Sequence, residues 1–195
     1  MASRRGDPMV LPETLRGSLL IASPILRDPN FVKSVIFVCA HDPNGALGVV
    51  LNRPSPIAVG DVLERWGPFV SEPGSLFTGG PVDSDSAIAL GWIHSPDPED
   101  GSLSVVTDPI AMLDLNLEPE EVSPKLSAAR IFLGYAGWTT GQLEEELLEE
   151  AWLIADPLPT DVFTLRPDKL WREVLRRQGG TTAMMADFPE DPTLN

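Results

Sequence analysis

The sequence predicts an α/β protein built on a mixed β-sheet, and three observations lead there. The run Ser34 to Ala40 is apolar without alternation, as expected of a strand covered on both faces. Residues 141–152 carry apolar positions at helical spacing, the pattern of an amphipathic helix. Strands and short helices follow one another without a strict βαβ rhythm, which points to a sheet of mixed direction.

The elements follow in chain order. Residues 1–14 read as a flexible lead. Leu15 to Ala22 is a first strand, stopped by Ser23-Pro24, and Asp28-Pro29-Asn30 is a turn. Ser34 to Ala40 and Ala46 to Leu51 flank Asp42-Pro43-Asn44-Gly45, so they pair as an antiparallel hairpin with a loop of several residues. Asn52-Arg53-Pro54 ends the second of these strands. Val59 to Trp66 is a short helix with Val59, Val62, Leu63 and Trp66 on one side. Leu76-Phe77-Thr78 leads into Gly79-Gly80-Pro81, and Ala87 to Ile93 is a strand.

Ser95 to Gly101 is an acidic, proline-bearing loop before a strand at Leu103 to Val106. Asp108 as N-cap and Pro109 at the first position then open a short helix. Ala129 to Leu133 is a strand, residues 141–152 are the helix, and Trp152 to Ala155 turns extended again. Asp168 to Arg177 is a final helix with Leu170, Trp171, Val174 and Leu175 on one face. Asp168 opens it, Arg176 and Arg177 close it, and Gly179 follows, in the favoured polarity. There is no internal repeat and no linker. The expected organisation is one compact domain over 15–178, with a loose tail from 179 to 195.

Bulk properties limit the function classes. The 195 residues are 43% hydrophobic and 22% charged, ordinary for a globular protein with one substantial core. No window approaches the roughly 20 apolar residues of a membrane span, and Met1 to Pro8 does not read as a secretory signal. The single cysteine, Cys39, allows no intramolecular disulfide and fits a reducing compartment. A cytoplasmic protein is expected. With 29 acidic and 14 basic residues the net charge is −15, which repels phosphate backbones unless the bases are segregated. The one basic cluster is Arg166, Lys169, Arg172, Arg176 and Arg177. Direct nucleic-acid binding is therefore disfavoured.

Gly134-Tyr135-Ala136-Gly137-Trp138, followed by Gly141 and Gln142 to Leu147, is the most informative stretch. It joins an apolar run to a helical run through three glycines. Such a strand–turn–helix junction can present backbone N–H groups to an anion. Tight packing of Tyr135 and Trp138 explains the glycines equally well, and there is no Walker lysine or GxGxxG run. Gly79-Gly80 is a second backbone-rich turn, read as structural or as an approach to another chain or ligand.

On a helical wheel Leu143, Leu147, Leu148, Ala151 and Trp152 share one half, while Gln142, Glu145, Glu146, Glu149 and Glu150 share the other. Glu144 breaks the partition by projecting into the apolar half. With Gly141 as N-cap it sits at the third helical position and can bond a free backbone N–H; this local reading is preferred. The functional alternative is a half-buried carboxylate acting as a ligand contact or general base. The glutamate run is a solvated face, or a docking surface for a basic partner.

Cys39 and His41 lie two apart, hence on one side of an extended strand, about 7 Å from each other. That is too far for a thiol–imidazole bond, so Cys39 reads as a small core residue and His41 as a buried, hydrogen-bonded histidine at a strand end. His94 is the other histidine. Two histidines and one cysteine without ligand spacing predict no metal site. No Gly-x-Ser-x-Gly elbow offers a hydrolase nucleophile.

Together these segments resemble the YqgE/AlgH family. Gly17 to Ala22 with Pro24, Asp28 and Phe31 matches its opening. His41, Gly45, Ala46, Gly48, Asn52 and Pro54 match the hairpin. Gly79 to Val82 and Gly134 to Trp138, with Gln142, Leu143, Glu144, Glu146, Leu147 and Trp152, match the rest. The resemblance spans about residues 15–178. It implies a bent mixed sheet approaching a barrel, flanked by helices, with no established activity and no known cofactor. Some members carry a transcriptional-regulator label. Family members commonly place an arginine and then a histidine after Gly-Gly-Pro-Val, where this chain has Ser86 and Gly91.

The expectation is a non-catalytic binding or regulatory protein for an unknown protein partner or small ligand, without cofactor. Its contact region would combine His41, Asn52, Gly79, Gly80, Tyr135, Gln142, Glu144 and Glu146. One alternative is an undescribed hydrolase-like enzyme with Glu144 or His41 as general base. Another is a transcription-linked regulator that does not touch DNA directly, as no helix-turn-helix is recognisable.

Overall fold

The structure, a computed structural model, describes residues 12–96 and 101–188. The apolar runs become β1 (Leu19–Ala22), β2 (Val35–Asp42) and β3 (Gly45–Val50). Next come β4 (Pro54–Ala58), α1 (Val59–Val62), β5 (Ser75–Thr78) and β6 (Val82–Ile93). The middle of the chain forms β7 (Leu103–Thr107), β8 (Ile110–Leu113), α2 (Pro119–Val122) and β9 (Leu126–Thr139). The remainder is α3 (Gln142–Leu148), β10 (Trp152–Ala155), α4 (Pro159–Val162), α5 (Pro167–Gln178) and α6 (Gly180–Met184).

All ten strands share one sheet in the order β10-β1-β2-β3-β9-β6-β8-β7, with β5 also on β9 and β4 on β5. The β5–β9 pair is parallel and the other pairs are antiparallel, so the sheet is mixed as expected. The sheet curls into a half-barrel. Arg16 joins strands far apart in the sheet order: its Nε donates to the Cys39 carbonyl of β2 (3.4 Å) and its Nη2 to the Val105 carbonyl of β7 (2.7 Å).

β9 is the axis. Over its 14 residues the first part pairs with β6 and β5, and the last part, Ala136 to Thr139, pairs with β3. The stretch from Gly134 to Trp138 is thus strand and not the strand–helix turn expected. Gly134 in it is required by close backbone approach. Gly134 has φ +67, and a Cβ there would lie 2.6 Å from the Gly80 carbonyl oxygen. A Cβ on Gly79 would lie 2.3 Å from the Gly134 oxygen, and one on Gly80 2.2 Å from the Tyr135 carbonyl carbon. The two glycine motifs therefore pack on each other. Gly79 also links β9 to β3: its N–H donates to Leu133 (2.7 Å) and its carbonyl accepts from Val50 (2.8 Å).

Three apolar clusters follow from the curl. The inner one gathers Leu19, Phe37, Val49, Phe77, Leu90 and Phe132 under Leu170, Trp171, Val174 and Leu175 of α5. A second packs Leu143 and Leu147 of α3 on Leu20, Ile36, Val50 and Trp138. The third packs Val59, Trp66 and Val122 on Leu76, Ala89 and Ile131.

Several expected elements differ. The β2–β3 loop is only Pro43-Asn44, since Asp42 pairs with Gly45 and the Asp42 carboxylate accepts the Asn44 N–H (2.7 Å). Asp108-Pro109 is the turn of the β7–β8 hairpin instead of a helix start, because Ile110, Ala111 and Leu113 bury themselves in the sheet. The sequence pattern gives no sign of β4; among the described residues it pairs only with β5, an edge position that tolerates Pro54 and Pro56. The helix expected over 59–66 is one turn, with Val62 55% exposed. Residues 180–187 are helical and not loose, with Ala186 buried and Arg176 donating to Asp187 (2.8 Å). Of the expected lead, acidic loop and tail, residues 1–11, 97–100 and 189–195 lie outside the described residues.

Gly134 and Gly141 separate steric cost from conformational cost, since both have positive φ but nothing lies within 4 Å of a Cβ at Gly141. Gly141→Ala is expected to lose about 1 kcal/mol from backbone strain, and Gly134→Ala about 3 kcal/mol or more because overpacking adds to it. Urea unfolding of both variants measures the difference.

Candidate functional site

The sheet and α3 bring His41 and Glu144 together. His41 Nε2 and Glu144 Oε1 are 2.8 Å apart, with side-chain exposures of 7% and 39%. The Leu15 N–H donates to His41 Nδ1 at 2.9 Å. A backbone N–H can only donate, so Nδ1 presents a lone pair and the proton sits on Nε2, directed at the Glu144 carboxylate. Both ring nitrogens are committed. The Glu144 carboxylate leaves the helix for the imidazole, and among the described residues no backbone N–H donates to it, which corrects the local reading of Glu144 as a helix cap.

A β-bulge makes this contact possible. The β2–β3 register shifts between Val38 and Ala40, so that His41 pairs with Ala46. Ala46 in turn pairs with Trp138, on the face that carries α3. Cys39 remains in the inner cluster. The expectation that Cys39 and His41 share a side is overturned, because the extra residue reverses the alternation. Burial pushes the Cys39 thiol up to about 12, opposed only partly by the Arg16 charge. The thiolate is thereby suppressed, as expected of a core cysteine.

Gln142 and Glu146 form a second constellation beside the first. Glu146 Oε2 accepts the indole N–H of Trp138 (2.9 Å) and of Trp152 (2.7 Å), and Oε1 accepts from Gln142 Nε2 (2.9 Å). Gln142 Oε1 accepts the Thr139 N–H at 3.0 Å. The indoles meet edge to face at 6.0 Å, and Phe31 meets Trp152 at 5.6 Å. The helical wheel places Glu146 on the solvated half of the helix. Its carboxylate instead clasps two indole donors, because those N–H groups need acceptors where their rings are buried.

The other expected contact residues do not join this group. Tyr135 packs against the inner cluster, on the face of β9 opposite Trp138. Gly79 and Gly80 are spent on the backbone approach described above. Asn52 lies at the other end of the hairpin, roughly 20 Å along β2 from His41. Its Oδ1 accepts the Val35 N–H (3.0 Å) and its Nδ2 donates to the Lys33 carbonyl (2.9 Å). His94 is exposed beyond β6, Ser86 Oγ donates to Asp83, and Gly91 leaves room for Leu113 and Leu126. Among the described residues no group of three or more His, Cys, Asp or Glu side chains is placed to hold a metal ion.

Arg130 is a functional candidate that the sequence motifs do not single out. It is 2% exposed inside the curl. It donates to the carbonyls of Val162 (3.0 Å), Thr164 (2.9 Å) and Glu72 (2.9 Å) and lies 4.3 Å from the Phe77 ring centroid. Among the described residues its Nε has no hydrogen-bond partner. Desolvation lowers its pKa to about 10, leaving it charged at neutral pH. The signal was present: a cation in the middle of the apolar run Ala129 to Leu133.

A curled mixed sheet with one helix in its concavity, and a tryptophan–glutamate clasp on its outer face, defines a class of single-domain α/β half-barrels. The AlgH-like (DUF179) family matches residues 19–183, and the chain belongs to that family. It is 48% identical to a UPF0301 protein of Streptomyces coelicolor, over 93% of this chain and 96% of that one. It is 45% identical to a UPF0301 protein of Thermobifida fusca, with the same coverage. The crystal structure of protein DIP2367 from Corynebacterium diphtheriae superposes with a TM-score of 0.87 at 31% identity, covering 92% of this chain and 95% of that one. The solution structure of the AlgH protein from Pseudomonas aeruginosa gives 0.67 at 28% identity, covering 97% and 100%.

Two outcomes follow. Glu146→Gln replaces an acceptor oxygen by a donor and is expected to cost about 2 kcal/mol, read by denaturant unfolding and by a shifted indole N–H resonance. With the thiol buried and its pKa pushed up by desolvation, Cys39 is expected to resist a disulfide reagent in the native state and react at once in denaturant.

Proposed function

We propose that this protein acts by binding and not by making or breaking covalent bonds. The observation that supports this is the commitment of His41: Nδ1 is occupied by the Leu15 N–H and Nε2 by Glu144. A general base needs a free lone pair within reach of substrate, and His41 offers none. Burial of the Cys39 thiol supports the same reading.

The basic cluster gives little support to direct nucleic-acid contact. Arg166, Arg176 and Arg177 are paired with Glu173, Asp187 and Asp161, and the net charge is −15. Regulation through a protein partner or a small ligand fits better than promoter binding. A cytoplasmic setting rests on the lone cysteine; none of the described helices is long and apolar enough to cross a membrane.

The competing reading is base catalysis by Glu144, favoured by its 39% exposed side chain beside an oriented imidazole. Activity on p-nitrophenyl esters, p-nitrophenyl phosphate and a generic peptide separates the two. The wild type is expected to match Glu144→Gln at background rates. Turnover that falls 100-fold or more in both Glu144→Gln and His41→Gln overturns the binding reading.

A further inference from the structure

A second region of the fold has the makings of a ligand site. A cavity of about 600 Å³ opens between the sheet and the segment that carries α4 and α5, within the size range of small-molecule sites. Trp92 and Ala128 line it from neighbouring positions of β6 and β9. Phe163 lines it from the other side and stacks with Trp92, centroids 6.2 Å apart and planes at 26°. Leu165 at its border is 72% exposed. The stack is a surface on which a further flat ring can lie.

Charge decides the class of ligand. Four charged side chains line the cavity, and they cancel in pairs. Asp161 is held by both terminal nitrogens of Arg177 at 2.8 Å and accepts the Leu158 N–H at 2.7 Å. Arg166 pairs with Glu173 at 2.8 Å. Behind this neutral lining stands Arg130. It is two residues from Ala128 on the same face of β9, hence about 7 Å farther along the strand. Its guanidinium grips the carbonyls of Val162 and Thr164, on either side of Phe163 in the cavity wall. Carbonyl dipoles solvate that cation but do not cancel its charge, and among the described residues its Nε–H has no acceptor. The cleft therefore combines an aromatic platform with one excess positive charge in a low-dielectric wall, where a field acts over several ångströms.

We propose that this cleft binds a small aromatic carboxylate, with the ring on Trp92 and Phe163 and the anion drawn toward Arg130. The proposal rests on the binding reading above and moves the site away from His41 and Glu144.

Three probes with one ring test it: indole-3-acetate, indole-3-acetamide and tryptamine. Each is titrated into the full-length protein while the Trp92 indole N–H resonance is followed. The expected result is saturable binding with the anion at least tenfold tighter than the cation and the amide between them. Leu165→Asp, at an exposed position that leaves the fold intact, is expected to weaken the anion at least fivefold and spare the amide. No saturable shift at Trp92, equal affinity for the three charges, or an anion unaffected by Leu165→Asp overturns the proposal. Mass analysis of the probe after incubation separates the two readings: a bound and chemically altered probe keeps the site and overturns non-catalytic binding, whereas an unbound probe removes the site alone.

Discussion

The backbone contact between Gly79-Gly80 and Gly134-Tyr135 is the constraint on which the rest of the structure depends. Here β9 passes from pairing with β5 and β6 to pairing with β3. A side chain at Gly79, Gly80 or Gly134 would hold the chains apart. With the approach made, the sheet curls, α5 fills the concavity, and α3 and the α1–α2 region cover the outside. All three clusters draw on β9 or its immediate neighbours, so a displacement there would be felt in each.

Polar groups then secure the outer helix. α3 spans only seven residues, too short to persist by itself. Its apolar contacts, Leu143 and Leu147, are supplemented by two carboxylates aimed back at the sheet: Glu144 at His41 and Glu146 at Trp138 and Trp152. Each satisfies a donor on a ring whose body is buried, so packing and hydrogen bonding select the same position for the helix. The polar signature of the family thus reads first as architecture. Inside the curl Arg130 does the same for the α4 segment, tying the carbonyls of Val162 and Thr164 to β9.

Much of the fold was legible. Continuous apolar runs located β2 and β3, and turn residues located the hairpin between them. The spacing of Leu170, Trp171, Val174 and Leu175 located α5 and its buried face. What misled was local chemistry overruled by the sheet. Asp108-Pro109 has the form of a helix start but serves a hairpin, since the next four residues find strand partners in β6. Pro54 and Pro56 concealed an edge strand. Gly134 has the mark of a turn because positive φ and close approach look alike in a sequence. The eight residues of the expected contact region do not gather in one place: they divide among an imidazole–carboxylate pair, an indole clasp, a backbone crossing and a loop tether.

The sequence by itself determined the family, the strands, the amphipathic helices and the acidic character, because these depend on composition and on periodicities within a few residues. Only the tertiary structure decided which polar groups meet. His41 and Glu144 are 103 positions apart, and one unpaired residue in β2 chooses the face on which the imidazole appears. Arg130 finds its carbonyls more than 30 positions away. Such pairings depend on register and curl, which are settled collectively by every strand at once and leave no periodic trace along the chain.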